Sequence, residues 1–179
     1  MNRFESLVGW IARLAGGLGA LATAACLLLV GYAVAMRYLA GTPVPWTDKV
    51  AGWLVVGLVM LAAPEAQRRF EHIGVDVLTA RLAPRAARLA HLFGTLAVLA
   101  TALLLLDAGV EMVEFSRMVG LMSELEGVPI WWVQALLPVG AALLALVAAC
   151  QSVLLLSGHT PAFLPEPGAP PRDPLASPE

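Results

Sequence analysis

Four stretches of this chain are long and free of charge, and no other sequence feature limits its fold as tightly. Leu14 to Met36 runs 23 residues without a charged side chain. Roughly 20 residues at about 1.5 Å each cross a ~30 Å hydrocarbon core, so this run spans. Leu89 to Leu106 gives 18 residues, and Ile130 to Leu156 gives 27. Val50 to Pro64 gives only 15. It reaches spanning length if Trp46 and Gln67 sit at the two interfaces, where Trp is favoured. Four transmembrane helices are predicted, about 12–37, 47–67, 87–108 and 130–156, in an all-α membrane domain over 1–157.

Composition excludes the competing classes. Hydrophobic residues make up 59% of the 179-residue chain and charged residues 13%, about half the ~25% usual in soluble domains. A soluble globule cannot hide that much apolar surface, and a disordered chain would not carry it. The net charge of −2 offers no basic face for nucleic acid. A cleaved leader at the first run is disfavoured. Thr23 stands where a lipoprotein site at Cys26 wants a leucine-like residue, and the apolar run continues well past it. Cys26 and Cys150 read as buried small hydrophobes.

Loop charge sets the expected orientation. Arg3, Arg13, Arg68, Arg69, Arg81, Arg85, Arg88 and Arg172 fall on one side, and Arg37, Lys49 and Arg117 on the other. Basic residues stay cytoplasmic, so both termini are expected inside. The third loop then faces outward with Asp107, Glu111, Glu114, Glu124 and Glu126. Asp107, Glu111 and Glu114 share a helical face at i, i+4 and i+7. A solvated helix end or a docking surface suits them better than an ion path, because the span before them is already about 27 Å long. The tail, 158–179, is Pro-rich and expected to be a disordered cytoplasmic end.

Several segments suggest contacts. Ala12, Gly16, Ala20 and Ala24 form a small-residue seam at steps of four, as do Ala141, Ala145 and Ala149. Either close packing on a partner subunit or plain alanine abundance accounts for them. Pro138 removes one backbone hydrogen bond inside the fourth span and predicts a kink. Val75 to Leu82 suits a short amphipathic helix lying on the membrane between the second and third spans. The arginines around it suit anionic membrane lipids better than a substrate. Trp46 and Arg68 are 22 residues apart, about 33 Å of helix, and bracket the second span. Asp48 is expected to cap the start of that helix, Arg68 and Arg69 to sit at inner headgroups, and Glu65 to pair with either arginine. His72 and Asp76, at i and i+4, can hydrogen-bond on one face.

Catalytic and cofactor chemistry finds no support. His72, His91 and His159 lie near one membrane face or in the tail, so no pair is placed to hold a mid-membrane haem. No phosphate loop, metal cluster or Ser/His/Asp set is visible, and no charge lies mid-span as a lone transporter would want. No enzyme activity and no cofactor is expected. By elimination the chain reads as an accessory membrane subunit. A four-helix redox or haem subunit and a stand-alone small transporter remain the alternatives.

The order of motifs adds a resemblance. Arg37-Tyr38 closes the first span and Trp46-Thr47-Asp48 opens the second. Arg68-Arg69 with His72-Ile73-x-Val75-Asp76 follows it, and Gly127-Val128-Pro129-x-Trp131-Trp132 opens the fourth. Over about residues 10 to 156 this resembles the small membrane subunit, DctQ-like, of tripartite ATP-independent periplasmic (TRAP) transporters. Asp48 stands where that family usually has Glu, and Pro64-Glu65 where it has small residues. The resemblance implies a scaffold for a large TRAP permease subunit that carries substrate and sodium. It also implies a periplasmic substrate-binding protein that delivers an organic acid, and location in the bacterial inner membrane. Trp46, Asp48, Arg68, Arg69, His72, Asp76, Pro129, Trp131, Trp132, Gly16 and Ala20 are the structural and interface candidates.

Overall fold

A computed structural model describes residues 2–69, 84–125 and 127–157. All regular structure there is helical: α1 (Asn2–Tyr38), α2 (Pro45–Arg68), α3 (Pro84–Val119), a single turn α4 (Trp131–Gln134) and α5 (Leu136–Leu156). Four segments are long and apolar enough to cross a membrane: Ser6–Tyr38, Pro45–Arg68, Ala86–Val119 and Trp131–Leu156. Apolar helices are the economical solution there, because each backbone N–H and C=O is satisfied within its own segment. The expected surface helix over Val75 to Leu82 and the tail from 158 lie outside the described residues.

Local chemistry sets the helix ends. Gly41 takes a positive φ of 67° after α1, a conformation costly for other residues. Pro45 then opens α2, where its missing N–H is no loss. α3 closes on Gly120 at φ 68°, with Leu121 N–H donating to the Ser116 carbonyl at 3.0 Å, a left-handed C-terminal turn. The chain returns through a short hairpin in which Met122 bridges Pro129.

Specific contacts give the direction of each helix. Gly16 meets Glu65 and Arg37 meets Asp48, so α1 runs antiparallel to α2. Gly57 meets Leu136, Gly140 meets Met60, and Gln67 meets Gln151, so α2 and α5 run parallel. Gly109 meets Pro138 and Arg88 meets Leu155, so α3 runs antiparallel to α5. The main contacts join α1 to α2, α2 to α5 and α5 to α3, with a lesser one between α1 and α5. The helices thus stand in the order α1, α2, α5, α3. A small cluster of Val8, Ala12 and Val147, with Leu146 and Cys150 against it, ties α1 to α5 near the N-terminus.

Missing side chains allow the closest approaches. A Cβ on Gly140 would stand 2.5 Å from Met60 Cβ and 2.7 Å from the Met60 carbonyl oxygen, so α2 and α5 nearly touch there. A Cβ on Gly109 would stand 3.0 Å from Pro138 Cδ. Near Pro138 the regular helix is interrupted only at Ala135, between α4 and α5, whose backbone stays in the right-handed helical region at φ −62° and ψ −20°. It lies just after Gln134, whose carbonyl would otherwise receive the N–H that Pro138 lacks.

Candidate functional site

Polar contacts gather at the two ends of this row of helices, and the charge-free runs lie between them. At the end formed by the C-termini of α2 and α5, Glu65 accepts from Arg68 Nε at 2.6 Å and from Arg69 Nε at 2.7 Å. Arg68 was expected at lipid headgroups. It is instead mostly buried on Glu65, with its chain beside Gly9; Arg69 is half exposed. Both positive charges converge on one carboxylate because all three residues lie within one turn and a half of helix.

Next to that cluster is a buried contact between two polar side chains of different helices. Gln67 is 1% exposed and Gln151 5%. Gln67 Nε2 donates to Gln151 Oε1 at 2.8 Å. Gln151 Nε2 donates back to the Gln67 carbonyl at 2.9 Å and the Arg68 carbonyl at 3.3 Å. A single side chain thereby caps the last carbonyls of α2 and fixes the register of α5 against it. On the other flank Arg88 Nε donates to the Leu155 carbonyl at 3.0 Å, closing α5 from α3. Buried hydroxyls return to their own helices: Thr95 Oγ1 to the His91 carbonyl at 2.8 Å and Ser152 Oγ to the Ala148 carbonyl at 2.8 Å. The amide pair and the Arg88 contact were not foreseen. The signal available was a glutamine in the most apolar span, where polar groups serve as interhelical glue.

The opposite end is more open. Trp46, in the first turn of α2, is exposed. Asp48 does not cap α2 as expected. The helix begins at Pro45 after Val44, with no side-chain cap, so Asp48 already lies inside the first turn and pairs with Arg37 at 3.3 Å. Lys49 Nζ reaches Glu124 Oε2 at 2.5 Å, fastening the hairpin after α3 to α2. The Lys49 hydrogen bond holds the Glu124 carboxyl below its ordinary range. Pro129 leads into α4, where the Trp131 and Trp132 rings meet edge to face at 5.8 Å. The Arg117 guanidinium lies 5.0 Å from the Trp131 ring centroid, a contact worth roughly 0.5–1 kcal/mol when exposed.

The first small-residue seam divides. Ala12 is buried and a Cβ on Gly16 would lie 2.9 Å from Glu65 Cβ, so both face this chain's own helices. Ala20 and Ala24 are exposed. The contact stripe is instead Ala12, Ala15, Gly16 and Gly19. Ala141 and Ala145 are buried, and Ala149 is half-buried. His72 and Asp76 lie outside the described residues. Among the described residues no group of three or more His, Cys, Asp or Glu side chains could hold a metal ion.

Comparison with known proteins gives one family. The family described as tripartite ATP-independent periplasmic transporters, DctQ component, matches residues 26–158, more than half of the chain. Among curated proteins none matches.

Proposed function

The chain belongs to the DctQ family of TRAP transporter components, and from that premise we propose that it is the small permease subunit, a scaffold for the large permease. In this reading a periplasmic substrate-binding protein delivers an organic acid, a carboxylate, to the large permease, and the large permease moves it with sodium across the bacterial inner membrane. Both termini face the cytoplasm, 1–157 forms the membrane domain, and 158–179 is a cytoplasmic tail. The segment Val75 to Leu82 lies on the inner membrane surface with its arginines at anionic lipids. His72 and Asp76 hold that segment against the helices or the permease.

The observation that carries the scaffold role is where the polar groups are. The ion pairs and the buried amide pair fasten helix ends, while the runs Leu14–Met36, Val50–Pro64 and Ile130–Leu156 carry no charge. A conducting path needs ionisable or polar groups at mid-depth; a support does not. The open row agrees with this. α1 and α3 stand at its two edges and expose many large apolar side chains along their length, faces suited to lipid and to a membrane partner.

The test is uptake in cells carrying the large permease and the binding protein, with and without this chain. Uptake that requires the chain, with the tail reported cytoplasmic by a fusion at Pro170 and the third loop reported outward by a fusion at Gly120, supports the reading. Full uptake without the chain, or a periplasmic signal from the tail, refutes it.

A further inference from the structure

The neighbours of α3 set its height among the helices. A Cβ on Gly109 would touch Pro138; on either side of Pro138, Leu136 meets Gly57 and Gly140 meets Met60. Gly57 and Met60 lie just past the middle of α2, which runs 24 residues from Pro45 to Arg68. Further along, Arg117 lies on Trp131, and Glu124 of the hairpin pairs with Lys49 in the first turn of α2. Counting charges along the chain takes α3 out of the membrane at Asp107. These contacts instead keep it level with the other spans up to its C-terminal end. Asp107 and Glu111 each lie about 3 Å along α3 from Gly109, and Glu114 about 8 Å. All three carboxylates are therefore within the depth of the hydrocarbon core, the first two near its middle. In a ~30 Å core the headgroups are about 15 Å from there.

Two seams run along α3 on opposite sides. Thr95, Ala102, Gly109 and Ser116, seven residues apart, are all buried, and Gly109 rests on α5. The other seam runs from Leu104 through Asp107, Glu111 and Glu114 to Met118 in alternating steps of three and four, and is exposed at every position. That 3.5-residue rhythm keeps a stripe against one neighbouring helix over several turns. The carboxylates on it face no other helix of this chain, so they line no path within it. Among the described residues no ion pair engages Asp107, Glu111 or Glu114.

We propose, resting on the subunit reading above, that this seam packs along a transmembrane helix of the large permease that sets lysine or arginine side chains against Asp107, Glu111 and Glu114. Charge complementarity selects that occupant. Lipid tails offer a carboxylate nothing, and ionisable groups at this depth are costly unless paired. Long basic side chains escape such a position by reaching the headgroups; Asp and Glu are too short to cover about 15 Å. A second copy, inserted in the same orientation, would bring carboxylates against carboxylates. A water-soluble protein does not reach mid-depth. A basic helix answers all three charges at once, and the apolar Leu104 and Met118 at the two ends of the seam shield the pairs from lipid and water.

The experiment uses the full chain expressed with its large permease. Asp107→Asn with Glu111→Gln and Glu114→Gln is expected to lower permease retention in mild detergent at least ~10-fold, because the partner's buried cations lose their acceptors. The thermal midpoint of the same variant purified alone should not fall, since no ion pair of its own chain is lost. Photoreactive p-benzoylphenylalanine in place of Leu104, which is 71% exposed, should cross-link to the permease in membranes. Unchanged retention overturns the inference and leaves the subunit reading standing. So does cross-linking to lipid, to a second copy or to the binding protein in place of the permease. A fallen midpoint in the lone variant assigns the carboxylates to this chain's own packing and also overturns it. Failure of the unmodified chain to hold the permease removes the underlying reading and this inference with it.

Discussion

Replacing Gln151 with Leu removes the buried amide pair between α2 and α5 while keeping side-chain volume nearly constant. Three hydrogen bonds go: the one received from Gln67 Nε2 at 2.8 Å and the two donated to the Gln67 and Arg68 carbonyls at 2.9 and 3.3 Å. Interhelical bonds in membranes average about 0.6 kcal/mol, so the two short ones account for roughly 1.2 kcal/mol. The α2 carbonyls left without their donor in an apolar setting add about 1 kcal/mol. The expected loss is ~2 kcal/mol. Gln67→Leu breaks only the shared bond of that set, since Gln151 keeps its backbone acceptors. A double-mutant cycle on the two glutamines should therefore return a coupling of about 0.6–1.7 kcal/mol. The assay is reversible unfolding of the purified chain in mild detergent, titrated with a denaturing detergent. Additive losses with no measurable coupling would refute the amide pair as a register lock.

Other outcomes follow from the packing. Gly140→Val should separate α2 from α5 and lower the thermal midpoint sharply, because its Cβ would meet Met60 backbone and side chain at 2.5–2.7 Å. Gly16→Leu should destabilise the isolated chain by forcing Glu65 off its arginines, whereas Ala20→Leu, on an exposed position, should leave the chain's own stability unchanged. Co-purification then reports whether that face touches the permease. Glu124, held low by Lys49, stabilises the hairpin above its unfolded value near 4.5 and loses that effect as pH falls through its lower folded value. The thermal midpoint of Glu124→Gln should thus lie below that of the unmodified chain at pH 7 and converge with it in strong acid.

Much of this fold is legible in the sequence because membrane length and charge exclusion act on contiguous residues. The runs around Leu14–Met36 and Ile130–Leu156 need no knowledge of neighbours. The one-residue interruption at Ala135 follows from the N–H that Pro138 lacks. The far end of α3 was less visible. Counting apolar residues stops at Asp107, while helix formation continues until Gly120 supplies a left-handed turn. The seam was half legible for a geometric reason. Steps of four advance about 400° at ~100° per residue, so Ala20 and Ala24 rotate away from the face that Ala12 occupies. Steps of three and four together, as in Ala12, Ala15 and Gly19, stay on it. Gln67 with Gln151, Arg88 with Leu155 and Lys49 with Glu124 depend on which helices are neighbours, and one sequence does not state that. Asp48 was misassigned because the cap position depends on where the helix starts, and Pro45 starts it earlier.

The central claim is that this chain holds a large permease. Its most direct test is to express the full chain with an affinity tag beside an untagged large permease, purify in mild detergent and measure the molar ratio and mass of the eluted species. The account predicts a stable complex of one chain to one permease that survives gel filtration and retains binding-protein-dependent uptake after reconstitution. Elution of this chain without the permease, under conditions where each is folded, would contradict it.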